Sequence, residues 1–292
     1  MRLCRFNDDR IGLVRGTLVH DVTGIVDAEL RLPRYPLPQG DLLIAQLDRL
    51  RPALEAAADR AATLPVEAVR LRSPVANPSK IIGTPANYRA HAEEARRDAE
   101  IAVYAQANAR SIEEQGLFLK ATSALVGPAE GVALRFAERR TDHEAELGLV
   151  IGRRVSNIAE ADALSCVAGY AIALDMVIRG TEDRSLRKSL DSYAVLGPWL
   201  VTADEIGDPG RLSFALEVNG ERRQTANTSE MILSIPRQIA WASSFYTLHP
   251  GDIIMTGTCA GVGRVMPGDV MSVRFDGIGS MTVPVRAAGT AG

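Results

Sequence analysis

Four acidic residues are spaced so that their carboxylates could meet in the folded chain. Asp142, Glu144 and Glu146 open the run DHEAELGLVIG, and Asp175 lies inside the later apolar stretch GYAIALDMVI. Side chains two apart on a strand share a face, so Glu144 and Glu146 are predicted to point the same way, with Asp142 in line behind them. The alternative is an acidic strand face in contact with water. Asp175 argues against that alternative, because an unpaired acid in so apolar a run is costly to bury.

Such a cluster has a chemical use. Packed carboxylates repel one another, and a hard divalent cation removes that penalty. Three carboxylates that leave positions open for water and substrate oxygens suit Mg²⁺, Mn²⁺ or Ca²⁺ better than Zn²⁺. The acidic residues therefore indicate a metal site of the hard-cation type.

One histidine is placed to act as a base. His91 and Glu94, in NYRAHAEEA, are three apart, so on a helix they lie within hydrogen-bond reach. A carboxylate that holds an imidazole in one tautomer makes it a competent general base. An ordinary His–Glu pair on an exposed helix is the alternative.

Several cations and a glycine-rich loop could bind an anion. Lys120, Arg179 and Lys188 follow apolar runs, where they either contact an anionic substrate or reach into water as strand ends. In the loop of residues 256–263, glycines would let backbone amides approach an oxyanion closely. The loop has neither the Gly-Lys-Ser/Thr ending of a P-loop nor the spacing of a dinucleotide fingerprint, so no nucleotide cofactor is predicted.

Composition narrows the class of protein. The chain has 292 residues, 46% of them hydrophobic, with a formal net charge of −3. This balance predicts a small-molecule substrate and neither nucleic-acid nor membrane binding. The first residues, MRLCRFNDDRIG, lack an apolar h-region and no long uncharged apolar stretch occurs, so neither secretion nor a membrane span is expected. Three widely spaced cysteines form neither a disulfide framework nor a zinc signature, and a cytoplasmic location is expected.

The elements that would position these residues fall into two regions. Residues 1–30 are predicted to form three short strands, RIGLVRG, TLVHDV and GIVDA. From Leu43 to Ala58, apolar residues recur at helical spacing and predict a helical region. The segment RLRSPVANPSK predicts a domain boundary near Ser73. We therefore expect a small N-terminal α+β domain over residues 1–73 and a catalytic domain over residues 74–292.

The second region is rich in strands and shows no βαβ alternation. Residues 89–109 are charged and Ala-rich, which favours an exposed helix or lid over core. The strand candidates are KIIGTP, GLFLK, ELGLVIG, GYAIALDMVI, GPWLVT, LSFALEVNG, GDIIMTG, GDVMSVRF and MTVPVR.

Seven segments of the chain resemble motifs of the fumarylacetoacetate hydrolase family, and they occur in the same order as in that family. The resemblance covers about residues 78–286. KIIGTPANYRAHAEE is similar to its strand followed by Asn-Tyr-x-x-His-x-x-Glu, and GLFLKATSALVGP to its Phe-Leu-Lys-x-x-Ser segment. DHEAELGLVIG resembles its Glu-x-Glu-Leu metal strand, and GYAIALDMVIRG the segment with the third metal carboxylate. The remaining three are KSLDSYAVLGPWLVTADEI, VNGERRQTANTSEMI and TLHPGDIIMTGTCAGVG.

The resemblance implies a role for each candidate residue. Metal ligands would be Glu144, Glu146 and Asp175, with Mg²⁺ as the first choice of cation. His91 and Glu94 would form the dyad that activates water, and Lys120 would stabilise developing negative charge. The residues expected to hold the oxo-acid substrate are Arg179, Glu182, Lys188 and Thr258.

The implied fold is α+β and mainly β, a mixed β-sandwich roll or barrel that usually forms a homodimer. The implied activity is metal-dependent hydrolysis of a C–C bond in a 2,4-dioxo acid, within sugar-acid or aromatic catabolism. The first alternative is an isomerase, hydratase or decarboxylase of related 2-oxo acids on the same site. The second is a non-catalytic oxo-acid or metal-binding protein.

Three departures from the family pattern concern the substrate side. Where the family commonly has Arg-Asp-x-Gln, the chain has Arg179-Gly180-Thr181-Glu182, so an acid replaces an amide. Lys188 follows Arg179 more closely than in many relatives. Cys259 takes the place of the usual proline after Thr-Gly-Thr.

Overall fold

The computed structural model describes residues 1–98 and 111–289. Its N-terminal part combines five strands with three helices. The strands are β1 (Arg2–Phe6), β2 (Arg10–Arg15), β3 (Leu18–Asp21), β4 (Thr63–Pro65) and β5 (Leu71–Arg72). The helices are α1 (Thr23–Glu29), α2 (Leu42–Ala45) and α3 (Leu47–Ala58).

The larger part that follows is mainly strands. Its strands are β6 (Ile81–Gly83), β7 (Phe118–Lys120), β8 (Leu125–Val126), β9 (Val132–Leu134), β10 (Thr141–His143), β11 (Ala145–Ile151), β12 (Val167–Asp175), β13 (Val177–Ile178), β14 (Ala194–Thr202), β15 (Ser213–Val218), β16 (Glu221–Asn227), β17 (Ile253–Met255), β18 (Gly263–Arg264), β19 (Val270–Phe275) and β20 (Gly279–Ala287). Its helices are α4 (Arg89–Arg97), α5 (Ile112–Gln115), α6 (Arg184–Arg187) and α7 (Ile235–Phe245).

The strands form three sheets. The largest has the order β4-β3-β2-β1-β14-β12-β11-β17-β6-β7, with β5 beside β1 and β8 beside β14. A second sheet has the order β16-β15-β19-β20-β9, and a small third one the order β13-β10-β18. Each strand order is linear within the described residues, so none of these sheets closes into a barrel and the fold is of the sandwich and roll type.

The core lies on both faces of the largest sheet. On β12, Tyr170, Ile172 and Leu174 belong to one apolar cluster, which also contains Phe214 and Val273 of the second sheet. The intervening Ala171 and Ala173 belong to the other cluster, with leucines of α3. Because β12 is covered on both faces, its sequence is a continuous apolar run rather than an alternating one.

The helical pattern of the N-terminal part is confirmed, but it forms two helices, α2 and α3, separated at Gln46. Leu47, Leu50 and Leu54 of α3 are buried, as their spacing predicts. The strand predicted for GIVDA is wrong, because these residues form α1. Val22 and Val26, four apart, are both buried there, so packing overrides the strand preference of Ile-Val.

The N-terminal strands continue the largest sheet. Arg2 and Leu3 of β1 pair antiparallel with Val201 and Leu200 of β14. The first part of the chain and the strands that carry the acidic residues therefore share one hydrogen-bonded sheet. Among the described residues, no helix is long and apolar enough to cross a membrane.

Candidate active site

Three carboxylates meet where β11 and β12 pair. Glu144 lies in the step between β10 and β11, Glu146 is the second residue of β11, and Asp175 ends β12. The backbone N–H of Asp175 donates to the carbonyl of Glu144 at 2.9 Å, which fixes the two chain segments side by side. All three side chains are buried, and one oxygen of each lies within 4.8 Å of the others. Asp175, the acid in the apolar run, thus has the partners that its burial requires.

Two lysines enter the same cluster. The ammonium group of Lys188 donates to Glu144 at 2.6 Å and also to Asp175, and that of Lys120 donates to the other oxygen of Asp175. Burial lowers the pKa of Lys120. Burial also opposes the charge of Lys188, but the carboxylates of Asp175 and Glu144 outweigh it and raise its pKa. The two cations offset part of the negative charge.

The acids differ in how well that charge is compensated. For Glu144, burial is outweighed by Lys188 and Arg179, which lower its pKa to about 2. For Glu146, burial and the nearby charge of Asp175 raise the pKa well above its ordinary value. Oxygen donors in a buried set of three, with their atoms this close, are the ligand type and arrangement that a hard divalent cation takes. The residues present therefore fit such an ion.

Asp142, which the sequence places in line with the two glutamates, does not join the cluster. Its carboxylate accepts from Nε of Arg179 and Nε of Arg140, both at 2.8 Å. Arg179 in turn reaches Glu144 with a second nitrogen at 3.4 Å. Asp142 therefore positions Arg179 against the acid cluster.

The proposed dyad is formed and faces the same cavity. His91, on α4, has its Nδ1 3.0 Å from Oε2 of Glu94, and the other carboxylate oxygen accepts from the backbone N–H of Gly261 at 2.8 Å. If Nδ1 carries the proton donated to Glu94, Nε2 is the nitrogen free to accept one. Residues 99–109 of the predicted lid lie outside the described residues, whereas residues 89–97 are helical, as predicted.

Thr258 also lines this cavity, but its hydroxyl is already engaged. It donates to the carbonyl of Ala145 and accepts from the amide of Gln224, both at 2.8 Å. Gln224 also contacts His143 at 3.1 Å, so it connects the glycine-rich loop to the end of β10. Gln224 lies within one of the seven motif segments, but nothing in its spacing pointed to this role.

The acid at position 182 has its own counter-ion. Both carboxylate oxygens of Glu182 accept from Arg139, each at 2.9 Å, and this guanidinium lowers the pKa of Glu182. Arg139 comes from the turn before β10, far away in sequence, so the sequence reasoning missed it. Cys259, the third departure, is a packed thiol whose pKa burial raises to about 12. It is therefore not poised as a nucleophile.

The candidate residues converge on a cavity of about 710 Å³. Eight of the ten predicted site residues contribute to its wall, namely His91, Glu144, Glu146, Asp175, Arg179, Glu182, Lys188 and Thr258. The remaining two touch members of this group, since Glu94 holds His91 and Lys120 holds Asp175.

Comparison with known sequences and folds identifies the class of protein. The sequence profile of the fumarylacetoacetate hydrolase C-terminal family matches residues 80–286. The chain belongs to the fumarylacetoacetate hydrolase family.

Individual relatives match over the whole length. A maleylpyruvate hydrolase of Aquipseudomonas alcaligenes is 50% identical over 287 residues, which are 98% of this chain and 100% of that protein. The crystal structure of a maleylpyruvate hydrolase from Sphingobium sp. SYK-6, in complex with manganese(II) and pyruvate, has a TM-score of 0.83 and 40% identity over 99% of this chain and 100% of its own. The mitochondrial oxaloacetate tautomerase fahd2 of Xenopus laevis is 34% identical, over 98% of this chain and 90% of its own.

These relatives confirm the predicted family and fold class. They also confirm the predicted general activity, a metal-dependent hydrolase that acts on a carbon–carbon bond.

Proposed function

We propose that this chain hydrolyses an acylpyruvate of the maleylpyruvate type, splitting the carbon–carbon bond between the acyl group and pyruvate. The observation that carries the proposal is the opening of a His–Glu pair onto the same cavity as three buried carboxylates. A general base and a set of oxygen ligands for a cation are the two parts that hydrolysis of a dioxo acid needs. The full-length relative at 50% identity supports the same assignment.

Glu144, Glu146 and Asp175 would hold the cation. We propose Mg²⁺, with Mn²⁺ or Ca²⁺ as alternatives, because all three are hard cations that take carboxylate oxygens. When bound, the ion would neutralise the acids and stabilise negative charge on substrate oxygens as a Lewis acid.

His91 is the proposed general base. Glu94 holds its Nδ1 side, so Nε2 would take a proton from water, which then attacks the distal carbonyl of the substrate. Lys120 would stabilise negative charge that develops as the bond breaks. Arg179 and Lys188 would bind the oxo-acid end, with Thr258 and Glu182 in the adjacent wall.

An isomerase or tautomerase is the second candidate, and the 34% identical oxaloacetate tautomerase supports it. Such an enzyme would use the same base to move a proton next to a carbonyl, without attack by water. A non-catalytic oxo-acid or metal-binding protein is the third candidate, and the formed His91–Glu94 pair argues against it.

The test uses purified protein treated with EDTA and then supplied with Mg²⁺ or Mn²⁺. With maleylpyruvate, we expect stoichiometric release of maleate and pyruvate, abolished by EDTA and restored by metal. Deuterium exchange into oxaloacetate without cleavage of maleylpyruvate would identify a tautomerase instead. Binding of dioxo acids without either reaction would identify the non-catalytic alternative.

We also propose that the enzyme is cytoplasmic. Three buried free cysteines, Cys4, Cys166 and Cys259, are compatible with a reducing cytoplasm.

We expect a homodimer, as the family resemblance implies, and light scattering on the purified protein would test it. We also propose the domain boundary near Ser73, and limited proteolysis would test it.

A further inference from the structure

One cation in the wall of the cavity has no role in the reaction described so far. Arg184 is the first residue of α6, and its guanidinium lies 5.3 Å from the centroid of the Phe118 ring. One of its nitrogens donates to the side-chain oxygen of Gln115 at 3.1 Å. The ring and the amide together hold the guanidinium in place against the cavity.

Among the described residues, Arg184 has no carboxylate counter-ion, unlike Arg139 and Arg179. Arg139 pairs with Glu182, and Arg179 with Asp142. Within residues 1–98 and 111–289, no carboxylate lies at ion-pair distance from Arg184, although it is partly buried. Burial, together with the nearby charge of Arg187, lowers its pKa. A desolvated cation without an anionic partner is costly, and an anionic ligand would relieve that cost.

The position of Arg184 suits one end of an elongated dianion. The ammonium of Lys188 lies 5.1 Å from the centroid of the same Phe118 ring, and it contacts Glu144 and Asp175 of the acid cluster. Both cations therefore lie against the ring of Phe118. The cavity thus offers cations at two places along one apolar ring.

We propose that Arg184 binds the distal carboxylate of the substrate, so that the enzyme selects acylpyruvates with an acidic tail over those with a neutral tail. The inference rests on the proposed hydrolase function and specifies its substrate class. A guanidinium can bind a carboxylate through two parallel hydrogen bonds, which a point charge cannot do. Gln115 orients the guanidinium group of Arg184, and Phe118 packs against the carbon chain of the substrate between its two acidic ends.

The experiment measures steady-state kinetics on two substrates for three proteins. These are the wild type and the variants Arg184→Gln and Arg184→Lys. With maleylpyruvate, Arg184→Gln is expected to lose about thirtyfold in kcat/KM, mostly through KM, because a buried charge pair is broken. With acetylpyruvate, whose tail is a methyl group, the same variant should stay within about twofold of wild type. Arg184→Lys should retain more activity on maleylpyruvate than Arg184→Gln, since lysine keeps the charge but cannot donate two parallel hydrogen bonds. Arg211→Gln, on an arginine whose side chain is 82% exposed, is the matched control.

Equal losses on the two substrates would show that Arg184 only supports the fold of the site, and unchanged kinetics on maleylpyruvate would overturn the proposal outright. Wild-type protein that hydrolyses neither substrate would instead refute the proposed function. Calorimetric titration with maleate tests Arg184 without turnover. Weakening of about tenfold in Arg184→Gln is expected, and equal affinity would contradict the role of Arg184.

Discussion

Glu146 and Asp175 lie in one cluster with different neighbours. Asp175 accepts from two lysines, whereas Glu146 accepts from the backbone N–H of Gly257 at 2.8 Å. A neutral amide in place of either acid keeps the shape of the side chain and removes one negative charge. The two substitutions therefore separate ligand charge from packing.

We expect Glu146→Gln and Asp175→Asn each to weaken Mn²⁺ binding at least about tenfold. Asp175→Asn should in addition lower the melting temperature of the metal-free protein, because Lys120 and Lys188 lose a buried counter-ion. Isothermal titration calorimetry and thermal melting are the measurements. Glu221→Gln, on an exposed glutamate, is the control. Wild-type metal affinity in both variants would remove these acids from the metal site.

His91→Ala tests the base. A positioned general base contributes about 10² to 10⁴ in rate, so kcat on maleylpyruvate should fall by that factor. Metal affinity should stay unchanged, because the imidazole does not belong to the group of three carboxylates proposed to hold the ion. Rapid kinetics and metal titration on the same preparation check both statements. Loss of metal without loss of the chemical step would make His91 a ligand.

At the scale of elements, helix α4 and the glycine-rich loop act as one unit. The backbone N–H of Gly261 donates to Glu94, which contacts His91, so the loop conformation affects the orientation of this proposed base. Gly261 has φ +95°, and a Cβ on it would lie 2.0 Å from the carbonyl oxygen of Arg223. Only glycine allows this loop to pass so close to β16.

Gly261→Ala should therefore disturb the base from a distance. We expect a loss of stability of about 1–3 kcal/mol from the strained backbone. The value of kcat should fall about tenfold or more as His91 is displaced, with metal affinity retained. Urea denaturation and steady-state kinetics would measure the two effects. Gly207→Ala is the control, because a Cβ there meets nothing within 4 Å. Full activity in Gly261→Ala would show that the loop does not position the dyad.

At the scale of the whole molecule, the N-terminal part is joined to the strands of the site by pairing and by charge. β1 extends the largest sheet next to β14, and Arg51 of α3 makes a two-pronged ion pair with Asp204, just beyond β14, at 3.0 and 2.8 Å. The Arg51 guanidinium and the Thr202 hydroxyl hold the pKa of Asp204 well below its ordinary value.

Asp204→Asn should show what this ion pair contributes. The folded-state pKa lies below the unfolded value of about 3.9, so the stabilisation is present above that pH and fades as the pH falls through the folded pKa. Because the pair is largely exposed, we expect a loss of only about 0.5 kcal/mol at neutral pH. Urea denaturation at falling pH should show the difference from wild type shrinking below about pH 4. A difference that does not change with pH would mean lost packing rather than lost charge. Asp276→Asn, whose nearest arginine nitrogen is 3.9 Å away, is the control.

The site could be predicted largely from sequence because its parts are local. Glu144 and Glu146 are two apart, and His91 and Glu94 are three apart, so strand and helix geometry alone brings each pair together. The burial of Asp175 and the apolar runs of β11 and β12 also follow from composition, since a strand covered on both faces must be apolar throughout.

The remaining contacts of the site join residues that are far apart in the sequence, and only the tertiary structure determines them. The chain contains nothing local to tell Asp142, which binds Arg179, from Glu144, which joins the acid cluster. Arg139 meets Glu182 across 43 residues, and Arg184 meets Gln115 across 69. GIVDA has the residues of a strand and became α1 because Val26, together with Val22 just before it, packs into the core. Partners that are distant in sequence are chosen by the packing of sheets and helices, which depends on the whole fold, whereas the residues able to do chemistry can be recognised from their types and spacing alone.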